Sequence, residues 1–237
     1  MKPSLAPVPA RAAALPPPLT PPPTTNGTPR LARLKAEPRR PGQASFFYYD
    51  AFFKCEAVKV LPGEYFVYDE DILIMTTLGS CIAACLWDRE RRIGGMNHFM
   101  LPETNLGGTA PGAGNDGGRY GSYAMEVLIN ELLKRGASRT TLEAKVFGGG
   151  AVIGAMTSIN VGEQNTRFVL DYLATERIPV VSKDVLDVYP RKVCFLPASG
   201  KAMVKRLAST NPEALAAQDR AAAQKATGTA GGTVDLF

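Results

Sequence analysis

No run of about eighteen apolar residues occurs in this chain, so no segment is expected to cross a bilayer as a helix. The apolar stretch of a secretory signal is also lacking. Lys2 is followed instead by prolines at 16–18 and 21–23, which would break a signal helix, and a cytoplasmic location is the expectation. Histidine occurs once, as His98, and cysteine four times, as Cys55, Cys81, Cys85 and Cys194. In a chain without an export signal these thiols are expected to be reduced. The closely paired ligands of a structural zinc site are missing, because only Cys81 and Cys85 are near one another in sequence. No metal or organic cofactor is expected. Gly148-Gly149-Gly150 is not followed by Gly-Lys-Ser/Thr and so is no phosphate loop; the expectation is that it lets two backbones pass closely.

A basic face on a folded domain is lacking too. The formal net charge is +5, but residues 1–40 hold seven basic side chains against Glu37 alone, which leaves the remainder at −1. The excess sits on what reads as a tail, and nucleic acid is excluded as the expected partner.

What is present divides the chain in three. Residues 1–44, rich in Pro, Ala and Thr without hydrophobic period, read as a disordered arm. Residues 45–207 read as one domain, and residues 208–237 as a flexible Ala/Gly-rich tail ending in Val234-Asp235-Leu236-Phe237. Within the domain, strands are expected over Ala57–Leu61, Tyr65–Tyr68, Ile72–Met75, Ile82–Trp87, Ile93–Leu101, Thr141–Phe147, Ile178–Val181, Lys192–Leu196 and Met203–Leu207. Helical spacing is expected over Tyr120–Arg135 and Gly162–Glu176, with a Gly-rich loop at Gly107–Gly118. Mixed or antiparallel sheets with two main helices make an α+β layered sandwich.

The hairpin around Asp88–Arg91 carries the candidate chemistry. With those four residues as the loop, Trp87 faces Arg92, Cys85 faces Gly94 and Cys81 faces His98, with Cβ atoms ~5 Å apart on one side of the sheet. An imidazole at that distance can take the thiol proton, and the thiolate is the competent nucleophile. The same imidazole can protonate a leaving amine and activate water. Gly79-Ser80 forms a turn just before Cys81, whose backbone N–H groups are candidates for holding an oxyanion. The alternative stays open at this point: a single cysteine at a strand start is commonly a small buried hydrophobe, and a single histidine on a strand is commonly structural.

The string Leu78-Gly-Ser-Cys-Ile-Ala-Ala-Cys-Leu-Trp-Asp88, followed by Ile93-Gly-Gly-Met-Asn-His-Phe-Met-Leu-Pro102, resembles the CheD chemoreceptor glutamine deamidase family. The resemblance continues through Arg119-Tyr-Gly-Ser-Tyr-Ala-Met125, Leu142-Glu-Ala-Lys-Val-Phe-Gly-Gly-Gly150, Ile159-Asn-Val-Gly162, Asn165 and Pro190-Arg-Lys-Val-Cys-Phe195, covering roughly residues 55–207. It implies a fold resembling toxin-type cysteine deamidases, with Cys81 as nucleophile, His98 as base, and a threonine shortly before the cysteine. Thr76 and Thr77 both stand there, with Thr76 preferred. The implied activity is hydrolysis of glutamine side-chain amides on methyl-accepting chemotaxis receptors, in an open groove able to take a helical substrate. The resemblance also implies a rival role, as a regulatory binding module for a CheC-type response-regulator phosphatase. Thiol peptidase chemistry would use the same nucleophile.

Overall fold

A computed structural model describes residues 28–101, 116–151 and 161–207. The Pro-rich stretch up to residue 27, most of the Gly-rich loop expected at Gly107–Gly118, and the tail from residue 208 lie outside the described residues.

Among the described residues, ten strands form two five-stranded sheets. The first runs β1 (Phe46–Asp50), β2 (Cys55–Lys59), β4 (Leu73–Leu78), β9 (Arg191–Leu196), β10 (Lys201–Arg206). The second runs β3 (Tyr65–Tyr68), β6 (Ile93–Asn97), β5 (Ile82–Asp88), β7 (Leu142–Gly148), β8 (Val180–Val185). The β2–β4 and β7–β8 pairs are parallel and the others antiparallel. Helices α2 (Asp116–Lys134) and α3 (Val161–Thr175) cover the outer face of the second sheet. This is the α+β sandwich expected, with its mixed sheets.

Alternation along the strands assigns the layers. Phe66, Tyr68, Ala83, Cys85 and Phe147 point from the second sheet toward Val58, Ile74, Leu78, Val193 and Phe195 of the first, making an inter-sheet core. Their neighbours Tyr65, Val67, Ile82, Ala84, Leu86, Ala144 and Val146 point the other way, onto Met125, Leu128, Ile129 and Leu132 of α2 and Val169 and Leu173 of α3. Strand β5 is therefore covered on both sides, which is why Ile82–Leu86 is apolar throughout and does not alternate.

One boundary is corrected. The arm expected to be disordered through residue 44 is built into the fold from Thr28 onward. Residues Pro29–Ala36 form helix α1, which places Leu31 and Leu34 in the inter-sheet core. Thr28 caps it by accepting from Leu31 N–H at 3.2 Å, and Pro29 occupies the first turn, where no N–H is needed. Arg30 ties the helix down by donating to Glu56, to Glu70 at 2.9 Å and to the Asp71 carbonyl at 3.0 Å. Two leucines among basic residues show too short a period for the pattern to be legible; their burial comes from the sheets they meet. Strand β1 was likewise not expected. It pairs with β2 from Phe46↔Lys59 to Asp50↔Cys55 and forms the edge of its sheet.

Candidate active site

Strand β4 presents the first group. Ile74 and Leu78 face the inter-sheet core, and Met75 faces a smaller cluster on the outer side. Period two then puts Thr76 on the core side and Thr77 on the other. Thr76 Oγ1 lies 2.8 Å from the Val60 carbonyl and 2.8 Å from His98 Nδ1. A carbonyl oxygen only accepts, so the Thr76 proton is committed to Val60, and Thr76 in turn accepts from Nδ1–H. That arrangement selects the neutral imidazole tautomer with its proton on Nδ1 and its lone pair on Nε2. Thr77 takes no part in it.

The hairpin that carries the cysteine and histidine differs from expectation by two residues. The observed pairs are Asp88↔Ile93, Trp87↔Gly94, Leu86↔Gly95 and Cys85↔Met96, with an isolated bridge at Ile82↔Phe99. The loop is therefore 89–92, and one step beyond the bridge Cys81 falls opposite Met100 rather than His98. The cause lies in Asp88. Its carboxylate accepts from the N–H groups of Glu90, Arg91 and Ser138 at 3.0, 3.1 and 2.7 Å, which holds Asp88 in the strand. Arg92, with φ +58°, then closes the turn by donating its N–H to the Asp88 carbonyl at 2.8 Å. An even displacement leaves side-chain parity unchanged. Cys81 and His98 are still on the inter-sheet side, as diagonal neighbours, a spacing of ~7–8 Å between Cα atoms that an imidazole can bridge.

The ladder opens where this matters. Ala84 N–H donates to the side-chain oxygen of Asn97 at 3.0 Å, and Asn97 Nδ2 donates to the Ala124 carbonyl of α2 at 3.0 Å. Asn97 thus faces the helices, as its parity required, and separates β5 from β6 beside His98. The His98 backbone pairs instead with the turn before β3, donating to the Glu64 carbonyl at 2.9 Å and accepting from Gly63 N–H at 2.8 Å.

The turn before Cys81 is held by its carbonyls. Gly79 O accepts from Gly150 N–H at 2.8 Å, Ser80 O from Asn165 Nδ2 at 2.9 Å, and Cys81 O from Gly149 N–H at 2.8 Å. The triglycine is what permits this approach. A Cβ on Gly148, where φ is +113°, would stand 2.1 Å from Cys81 O, and one on Gly149, where φ is +67°, would stand 2.2 Å from Thr166 Oγ1. The expected close passage of backbones is therefore present, and it lies directly against the Cys81 segment. Gly79 and Ser80 stand where the sequence placed them, in the turn between β4 and β5.

The remaining thiols differ in setting. Burial pushes the pKa of Cys85 upward despite Lys145, and burial likewise raises those of Cys55 and Cys194, so all three favour the neutral thiol. Tyr120, at the start of α2, is raised chiefly by burial and further by the neighbouring Cys81. Its phenol stays protonated beside the thiol. An open groove was expected; among the described residues Thr76, Cys81 and His98 are 1%, 0% and 1% exposed. Among the described residues no three His, Cys, Asp or Glu side chains cluster as a metal site would need. Sequence reasoning gave no role to Asn165. The signal was a polar residue on the buried stripe it shares with Val169 and Leu173 at spacing four.

The fold and site define a layered α+β protein with a thiol, an imidazole and a hydroxyl gathered between two sheets. The family model for CheD chemotactic sensory transduction matches residues 100–206. The probable chemoreceptor glutamine deamidase CheD 1 of Albidiferax ferrireducens is 64% identical over 211 residues, covering 88% of this chain and 87% of its own. An alignment of that length necessarily takes in Thr76, Cys81 and His98. The probable chemoreceptor glutamine deamidases CheD of Methylobacillus flagellatus and Bordetella petrii are 48% and 53% identical, covering 85% and 80% of this chain and 100% and 85% of their own. The chain belongs to the CheD family. A solved hypothetical protein, YfiH of Bacillus licheniformis, shares 11% identity over 52% of this chain and 49% of its own with a TM-score of 0.31, too low to carry an argument.

Proposed function

We propose that this protein is a chemoreceptor glutamine deamidase in which Cys81 is the nucleophile, His98 the base and Thr76 the residue that orients the base. The observation that carries the reading is the Val60–Thr76–His98 relay, which leaves the imidazole lone pair on Nε2. Nε2 takes the Cys81 proton as Sγ attacks the side-chain carbonyl carbon of a receptor glutamine. The carbonyl electrons move onto oxygen, and backbone N–H groups of the Gly79–Cys81 turn stabilise the charge. As the carbonyl re-forms, the C–N bond breaks and the imidazolium gives its proton to the departing ammonia, leaving a thioester. His98 then draws a proton from water as the water oxygen attacks the thioester, and Cys81 leaves to regain that proton. The balance is glutamine plus water giving glutamate plus ammonia. No step needs a metal or organic cofactor. Each turnover places a new negative charge on the receptor surface.

The test is incubation of the protein, and of Cys81→Ala, with a receptor cytoplasmic fragment, scored by peptide mass spectrometry. Conversion of glutamine to glutamate by the wild type alone supports the assignment. Equal conversion by both removes Cys81 from it. Cleaved backbone in place of altered side chains would indicate a thiol peptidase.

The rival reading is a regulatory module that binds a CheC-type phosphatase. Absence of conversion by either protein, together with phosphatase binding that survives Cys81→Ala, would move the assignment there.

A further inference from the structure

Asn165 belongs to α3, in the outer layer, yet both halves of its carboxamide serve the segments around the candidate site. It is fully buried. Its Nδ2 donates to the Ser80 carbonyl at 2.9 Å, and its Oδ1 accepts from Leu101 N–H at 2.9 Å. One helix side chain therefore joins the residue before Cys81 to the segment that follows His98.

The consequence is directional. Every described peptide bond is trans, and in a planar trans peptide the C=O and N–H point in opposite directions. Ser80 C=O and Cys81 N–H belong to the same peptide. Holding that carbonyl toward α3 aims Cys81 N–H away from the helix layer, the same side of the sheet as the inter-sheet core where Thr76 and His98 meet. The next peptide back is fixed in the same manner, because Gly150 N–H holds the Gly79 carbonyl and so sets the direction of Ser80 N–H. An amide is suited to this place. It supplies a donor on one side and an acceptor on the other without bringing a charge beside the thiol.

We propose that Asn165 is a positioning residue for hydrolysis at Cys81: through the Ser80 peptide it aims Cys81 N–H at the oxyanion of the tetrahedral intermediate, and it touches neither substrate nor thiol. This rests on the reading of Cys81 as nucleophile. The expected signature is selective. Deamidation passes through an oxyanion and requires the aimed N–H. Alkylation of the thiol by iodoacetamide is a direct displacement that forms no oxyanion, and depends only on thiolate and access. Loss of an oxyanion donor outright lowers kcat by about 10²–10³, so releasing its aim is expected to cost about 10–100-fold.

The experiment uses the full chain with Asn165→Ala and Asn165→Leu, the second retaining the side-chain volume so that the site stays filled. Glutamine conversion is measured on a receptor fragment, and Cys81 alkylation is followed across pH by peptide mass spectrometry. Supporting results are a kcat lowered about 10–100-fold in both variants, with KM and the pH profile of Cys81 alkylation unchanged. Full kcat in either folded variant would overturn the proposal. So would a parallel loss of deamidation and alkylation, which marks a role in holding the fold alone. Cys81→Ala run alongside separates the two levels: its retained activity would bring down the nucleophile itself, whatever Asn165 does.

Discussion

Replacing Thr76 by valine removes one hydroxyl and keeps the β-branched shape that suits a strand. Two buried groups lose their partner at once, the Val60 carbonyl and His98 Nδ1–H, each 2.8 Å from the hydroxyl in the native protein. A buried group left unsatisfied costs about 1–3 kcal/mol, and at this chain length each kcal/mol lowers Tm by about 2–4 °C. The larger effect falls on the base. Without an acceptor at Nδ1 the imidazole is no longer held in the tautomer that leaves Nε2 able to take the thiol proton. If the lost hydrogen bond is the whole of that preference, about 1.4–2.7 kcal/mol of it corresponds to a 10–100-fold fall in kcat/KM. Thr76→Ser keeps the oxygen and is expected to retain most activity. His98 is the only histidine in the chain, so the ring nitrogens give one set of 15N resonances and the tautomer can be read without assignment. The native protein should show Nδ1 protonated and Nε2 unprotonated above the imidazole pKa. A native ring protonated on Nε2, or Thr76→Val with undiminished kcat/KM, would refute the relay.

Two further outcomes concern the scaffold. Leu31 is fully buried by α1 in the inter-sheet core, so Leu31→Ala is expected to destabilise the protein by about 2–5 kcal/mol in urea unfolding. An unchanged midpoint would mean that α1 is not part of the cooperative unit. Burial alone would raise the Asp88 carboxyl, but N–H donation from Ser138, Arg91 and Glu90 outweighs it and holds the pKa below its ordinary value. A carboxylate lowered on folding stabilises the native state above its unfolded pKa of about 4, and that contribution is lost as pH falls through the folded value. Asp88→Asn should therefore be less stable at neutral pH and show a shallower loss of stability in acid. A parallel pH dependence in the two proteins would show that Asp88 carries none of it.

The sequence alone determined the strands Tyr65–Tyr68 and Ile82–Trp87 and the two amphipathic helices, because these follow from period and local propensity. It also singled out Cys81, His98 and the Gly79-Ser80 turn, since one histidine and one cysteine-bearing turn left few chemical combinations. It put both side chains on one face even with the wrong register, because a two-residue displacement preserves parity. Thr76 stood beside Thr77 as an open alternative, and the inter-sheet packing is what sets the Thr76 hydroxyl against His98: a hydroxyl can be matched to an imidazole only when the sheet that carries each is placed against the other. The register itself hung on where Asp88 directs its carboxylate, toward the N–H of Ser138 far along the chain. Helix α1 was hidden for the same reason. Leu31 and Leu34 have no partners near them in sequence, and their burial exists only once two sheets have formed a core to receive them. The roles of Asn97 and Asn165 belong wholly to the tertiary structure, because a carboxamide states its chemistry in the sequence but its partners only in space.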